Sequence, residues 1–247
     1  MQIVACIKRV PATETQAKVA ADGKALDADG VEYMVSFYDE IALEQAVQTK
    51  EAGGGEVTVL TLGPSAAQKE LRECLAKGAD KAVLLTDDGW ATRDAYATAR
   101  TLADKIQELG AQVVFTGRVA TDRDNAAVGP MLASMLGWAC VTDVIELSLS
   151  ADGKCSAKRE SEAGIESYEF SLPAVISCQK DLNEPRFANL KGIMQAKKKP
   201  LEECAPSEHA SQTEVVAVEM PPARAEGRIV EDVASLMDAL RNEAKAL

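Results

Sequence analysis

Short apolar runs alternate with longer amphipathic stretches through the first 137 residues of this chain, and few folds accommodate that rhythm. Met1–Ile7, Val57–Leu62, Ala82–Thr86 and Val113–Thr116 lack polar alternation, as expected of strands buried on both faces. Helical patterns lie between them. One covers 37–52 and is stopped by Gly53-Gly54-Gly55, with Ser36-Phe37-Tyr38-Asp39 fitting a capping box whose returning acid is Asp39. The next follows Gly63-Pro64-Ser65, sets Ala67, Leu71, Cys74 and Leu75 on one face, and closes at Gly78. A third covers 92–109 with Ala95, Ala99, Leu102, Ile106 and Leu109 in one stripe, and a fourth is expected over 125–137. The alternation implies an α/β fold: a mostly parallel sheet with right-handed crossovers and helices on both faces. Such sheets bind ligands beyond the carboxyl ends of their strands, which selects Cys6, Leu62-Gly63 and Gly117 onward.

The rhythm breaks after Trp138. Thr142–Leu149, Lys154–Arg159 and Tyr168–Leu172 read as a small antiparallel hairpin excursion, turning at Ala151-Asp152-Gly153. Pro173–Ser177 reads as a buried strand returning to the main sheet. Residues 13–33 are polar, with turn signals at Asp22-Gly23 and Asp29-Gly30. Residues 200–230 carry Pro206, Pro221, Pro222 and Gly227 but little periodicity, a long arm expected to cross another surface. A last helix over 231–245 gathers Val233, Leu236, Met237, Leu240 and Ala244 on one face. The expected division is a nucleotide-binding domain over 1–199 and, over 200–247, an arm and helix that pack on a partner subunit.

Composition excludes several functions. With 27 Lys+Arg against 39 Asp+Glu, the chain carries −12 and is a poor partner for nucleic acid or an anionic membrane. No apolar stretch reaches the roughly 18 residues needed to span a bilayer, and the chain begins directly on a strand, so no signal peptide is expected. The single histidine, His209, sits in the polar run Pro206–Ser211 and is expected to be a solvated loop residue, which leaves no triad and no poly-His metal site. The six cysteines, Cys6, Cys74, Cys140, Cys155, Cys178 and Cys204, have no ligand spacing, and a reducing compartment without disulfides is expected. No residue presents itself as catalytic.

Two segments could carry chemistry. Gly117–Pro130 leaves a buried strand and opens a helix. Its N–H groups around Asn125–Gly129 can hold a phosphate, and Asp122 or Asp124 can cap the helix or accept from ribose hydroxyls. A capped helix with a solvated loop is the competing reading. In Leu182–Pro200, Pro185 suits a first helical turn, putting Phe187, Leu190 and Met194 on one side ahead of Lys197-Lys198-Lys199. That side is either core or an exposed knob that docks a protein.

Three motifs give the chain a family likeness: Ala5-Cys6-Ile7-Lys8-Arg9-Val10-Pro11 with Asp39-Glu40-Ile41-Ala42-Leu43-Glu44; Arg159-Glu160 with Gly164-Ile165-Glu166 and Leu172-Pro173-Ala174-Val175; and Leu182-Asn183-Glu184-Pro185-Arg186-Phe187 with Ile193–Lys199. From residue 2 to about 199, and again in the last helix, the chain resembles the β subunits of electron transfer flavoproteins. The resemblance implies an adenine-nucleotide α-hydrolase-like, Rossmann-like fold, an α subunit bearing the redox FAD, and a structural AMP in this chain. It also implies electron flow between a flavin dehydrogenase, such as an acyl-CoA dehydrogenase, and a quinone reductase or other acceptor. Adenine would lie near Cys6, Ser36, Asp39 and Leu62-Gly63, and phosphate by Gly117, Asp122, Asn125, Ala126, Ala127 and Val128. Leu182–Met194, including Asn183, Glu184, Pro185, Arg186 and Phe187, would be the recognition loop, Leu190 the inserted leucine, and Glu160 a contact to the mobile FAD domain. Ser36-Phe37 stands where the family often has Asn-Pro. Arg123 and Ala127 replace the Gly and Gln of electron-bifurcating members, in which a second FAD takes the place of AMP. That is the alternative, with a stand-alone nucleotide-binding protein as a third reading. The implied location is bacterial cytoplasm, or mitochondrial matrix in a eukaryote.

Overall fold

The computed structural model describes residues 1–150, 153–224 and 226–247. In chain order the elements are β1 Gln2–Cys6, β2 Arg9–Pro11, β3 Tyr33–Val35, α1 Phe37–Gly53, β4 Glu56–Gly63, α2 Gln68–Lys77, β5 Lys81–Thr86, α3 Ala95–Glu108 and β6 Val113–Gly117. There follow α4 Val128–Leu136, β7 Ala139–Leu149, β8 Cys155–Ser161, β9 Gly164–Phe170, β10 Ala174–Cys178, α5 Leu190–Ala196, β11 Leu201–Cys204 and α6 Val233–Asp238, which runs into a π-helical turn, Ala239–Glu243.

Among the described residues nine strands form one sheet, in the order β11-β5-β4-β1-β6-β10-β7-β8-β9. Every pair from β11 to β7 is parallel. Side chains alternate across it into two cores. Ile3, Ala5, Val57, Val59 and Phe115 pack with α1 and α2 residues on one face. Val4, Leu60, Val83 and Val114 pack with α3 and α4 residues on the other. Each large side chain so buried contributes about 1.5–3 kcal/mol, which explains why uninterrupted apolar runs locate the strands. The face expected of α2 holds: Ala67, Leu71, Cys74 and Leu75 are all buried, and Gly78 ends the helix at φ 131°.

Several boundaries move, each for a local reason. Helix α3 begins at Ala95 rather than 92, because Asp94 accepts the Ala97 N–H at 2.8 Å and caps it there. The expected antiparallel strands form. β7 pairs in parallel with the central β10, so β8 and β9 extend the main sheet. At that junction Asp143 turns through φ 57° and its N–H donates to Ser177 Oγ at 3.0 Å. Of the expected turn 151–153, Ala151 and Asp152 lie outside the described residues. The sheet also takes in Leu201–Cys204, past position 199, as edge strand β11 on β5.

Beyond β11 the arm lies against its own domain. His209 Nε2 meets Asp104 Oδ2 at 2.7 Å, Ser207 Oγ donates to the same oxygen at 2.8 Å, and the Gln212 and Thr213 N–H groups donate to Asp94. His209 is therefore a half-buried pin on α3, not a solvated loop residue. Ser207 and His209 share an acceptor and do not bond each other, which is no nucleophile–base pair. The last helix leaves Val233 and Leu236 exposed and buries nothing.

Candidate functional site

The carboxyl ends of β1, β4 and β6 converge on the start of α1, with Asp39 at the centre. Its Oδ2 accepts the Lys8 N–H at 2.8 Å and its Oδ1 the Gly117 N–H at 2.9 Å, tying the exits of two strands to one helix. Gly117 has to be glycine, since a Cβ there would stand 2.5 Å from Asp39 Oδ1 and 2.8 Å from the Tyr38 carbonyl carbon. The expected capping box does not form. Ser36 sits at the N-cap position without a side-chain bond into the helix, and its Oγ instead accepts the Thr121 N–H at 3.3 Å. Two backbone donors from distant strands claim the Asp39 carboxylate, a competition invisible in local sequence. Burial pushes the Asp39 carboxyl up to about 7, against the two N–H groups and the Lys8 charge, which favour the anion; Asp122 adds to the rise. Burial, reinforced by the Asp39 charge, also holds the Cys6 and Cys178 thiols far above their ordinary range. Leu62 and Gly63 are buried beside this junction at the end of β4.

From Gly117 the chain enters the loop 118–127. Asp122 Oδ2 pairs with Lys8 Nζ at 2.6 Å and does not cap the helix; neither does Asp124. Helix α4 starts at Val128, later than expected, with Ala127 at the cap position and no side-chain acceptor for its first N–H groups. Asp124 and Ala126 adopt φ 48° and 51°, a left-handed conformation that costs non-glycine residues free energy and clusters at ligand sites. Asn125 and Ala126 are exposed, Ala127 and Val128 half-buried. A cavity of ≈ 390 Å³ adjoins the loop, lined by Tyr38, Arg118, Val119, Thr121, Asp124 and Ala126. Arg118 pairs there with Asp143 at 2.7 Å. Arg123 turns away to the Ala91 carbonyl. Among the described residues, Thr86 Oγ1 and Thr116 Oγ1 are buried without a hydrogen-bond partner, both at carboxyl ends of strands. The uncapped helix start can hold an anionic group; Lys8 and Arg118 near the loop are each already paired, with Asp122 and Asp143. Tyr38 and Arg118 fall within segments picked out from sequence, but Lys8 was not selected; Lys8-Arg9 directly after the first strand was the available signal.

The second surface lies at the other end of α1. Pro185 is in no helix: α5 starts at Leu190, capped by Asn189, whose Oδ1 accepts the Gly192 N–H at 2.8 Å. Leu182 packs on the core, and Asn183 Nδ2 donates to the Ile41 carbonyl at 3.1 Å. Glu184 is exposed and Pro185 half-buried. Phe187, Leu190 and Met194 are 94%, 82% and 71% exposed, which removes the core reading of this segment. The basic turn after it is smaller than expected. Lys197 and Lys198 are exposed, but Lys199 Nζ donates to the Leu75 and Ala79 carbonyls at 2.9 and 2.5 Å, and burial lowers its pKa. Glu160 stands exposed on β8 beside Arg159, whose Nε pairs with Glu166 at 2.7 Å.

The family described as Electron transfer flavoprotein domain matches residues 24–209. The electron transfer flavoprotein subunit beta of Bacillus subtilis (strain 168) is 34% identical over 247 residues, covering 95% of this chain and 96% of that protein. The corresponding subunit of Syntrophomonas wolfei is 36% identical over 233 residues, 94% and 90% of the two chains. The mitochondrial one of Oryza sativa subsp. indica is 35% identical over 254 residues, all of both. This chain belongs to the electron transfer flavoprotein family. Its role is that of the family's β subunit, an electron carrier associated with flavin. Among the described residues no group of His, Cys, Asp and Glu could hold a metal ion. No helix there is long and apolar enough to cross a membrane.

Proposed function

We propose that this chain pairs with an FAD-bearing α subunit, holds AMP at the carboxyl edge of its sheet, and docks a flavin dehydrogenase through residues 187–194. The partner's FAD, when bound, supplies the redox chemistry. This chain's residues bind and orient. The first N–H groups of α4 hold the phosphate, Lys8 and Arg118 offset its charge, and Cys6, Ser36, Asp39 and Leu62-Gly63 bound the adenine side. The uncapped α4 start and the two orphaned threonine hydroxyls support a nucleotide fit. Glu160 faces the mobile FAD domain, and the last helix clasps the α subunit. Electrons pass on to a quinone reductase or another acceptor, in bacterial cytoplasm or in a mitochondrial matrix.

The observation that carries the docking role is the apolar knob of Phe187, Leu190 and Met194, held out in water. Leu190→Ala should weaken reduction by an acyl-CoA dehydrogenase by about tenfold or more, the scale of one buried anchor, with flavin content intact. Unchanged coupling sinks the docking role. Denaturing the purified heterodimer should release one FAD and one AMP per pair; two FAD would replace AMP with a second flavin.

A further inference from the structure

We infer that Arg186 is a positioning residue for docking: clamped to α1, it holds the exposed apolar knob in one binding-ready geometry. The inference rests on the docking role proposed above. The Arg186 guanidinium forks over two carboxylates at once. Its Nε and Nη2 donate to Glu44 Oε2 and Oε1 at 2.8 and 2.9 Å, and its Nη1 and Nη2 donate to Glu51 Oε1 and Oε2 at 2.7 and 2.9 Å. The Arg186 N–H reaches Glu44 as well, at 3.2 Å, so backbone and side chain are fixed together. Glu44 is 5% exposed, and these bonds hold its pKa below the usual carboxylate range although its burial acts to raise it. An arginine satisfied in this planar, bidentate way cannot be replaced by a lysine point charge.

Arg186 directly precedes Phe187, the start of the knob. The far side of the knob is fixed too. Arg72 Nη1, from α2, donates to the Ala196 and Lys199 carbonyls at 2.6 and 2.7 Å. Gly192 lets α5 lie against α2, since a Cβ there would stand 2.3 Å from the Ala76 carbonyl oxygen. The four exposed apolar side chains, Phe187, Leu190, Ile193 and Met194, therefore ride on a short stretch of backbone anchored before and after them. A partner that receives them need not pay the entropy of ordering that stretch.

The test uses the intact heterodimer and an acyl-CoA dehydrogenase as electron donor, comparing Arg186→Lys, Leu190→Ala and the double variant. Arg186→Lys should raise the KM for the heterodimer by about tenfold, leaving kcat and flavin content near wild type. Amide exchange across 187–193 should speed up in that variant. Because Arg186 acts through the knob, the double variant should be little worse than Leu190→Ala alone. If Arg186→Lys fails to fold, Glu51→Gln removes the outer half of the clamp at an exposed position and should raise KM in the same direction. An unchanged KM in the clamp variants, or full additivity with Leu190→Ala, overturns the inference while the docking role stands. An unchanged KM in Leu190→Ala removes the docking role itself.

Discussion

At the scale of single residues, Asp39 does the most to organise the site. Its carboxylate serves two backbone donors and gives up the local capping role that Ser36-Phe37-Tyr38-Asp39 advertises. A carboxyl raised to about 7 in the fold, from an ordinary 3.8, binds its proton more tightly folded than unfolded. Its contribution to stability is complete below the unfolded value and is lost as pH rises toward 7, by up to about 4 kcal/mol. Asp39→Asn costs about 1–3 kcal/mol at the acid end, since its NH2 faces a backbone donor, but should flatten this slope. Urea midpoints of both proteins between pH 4.5 and 8 check it; parallel slopes would show that Asp39 titrates elsewhere. The strand-end rule selected Gly117 and the loop after it, Asp122 included, whereas Asp39 entered the site only through the family resemblance. Their mutual bonds were not legible, because Lys8, Asp39 and Gly117 are far apart along the chain.

At the scale of elements, boundaries were the weakest part of the sequence reading. Phe187 and Leu190 sit at helical spacing, yet the helix starts only at Leu190, because Arg186 is drawn to α1 and Asn189 supplies the cap. The arm is the larger surprise. Burial pushes the Asp104 carboxyl up, but hydrogen bonds from His209 and Ser207 outweigh that and hold it below its ordinary value. The pinning contribution is therefore present above the unfolded value of Asp104 and is lost as pH falls through the lower, folded one. Asp104→Ala should release residues 207–213 at neutral pH, seen as faster amide exchange there with β1, β4 and β6 still protected. Unaltered exchange in 207–213 would mean that the Asp94 contacts suffice.

At the scale of the whole molecule, the C-terminal helix leaves Val233 and Leu236 exposed and fully buries none of its residues among the described residues. Deleting residues 229–247 should leave the sheet folded, with a Tm within a few degrees of wild type, yet weaken association with the α subunit by about a hundredfold, as loss of several buried anchors predicts. Sedimentation at graded concentrations measures this, and undiminished association would assign the helix elsewhere. The strand–helix rhythm was enough to settle the α/β class and the parallel core, because burial on both faces forces apolar runs of strand length and those runs are written locally; the family rested on three local motifs. Tertiary structure alone decided that β7–β9 extend the main sheet, that β11 closes its far edge, that His209 pins the arm, and that Arg186 holds the knob. Each of these depends on which distant donor meets which acceptor. Such pairings are set by how the layers pack, and no local stretch of the chain contains both partners.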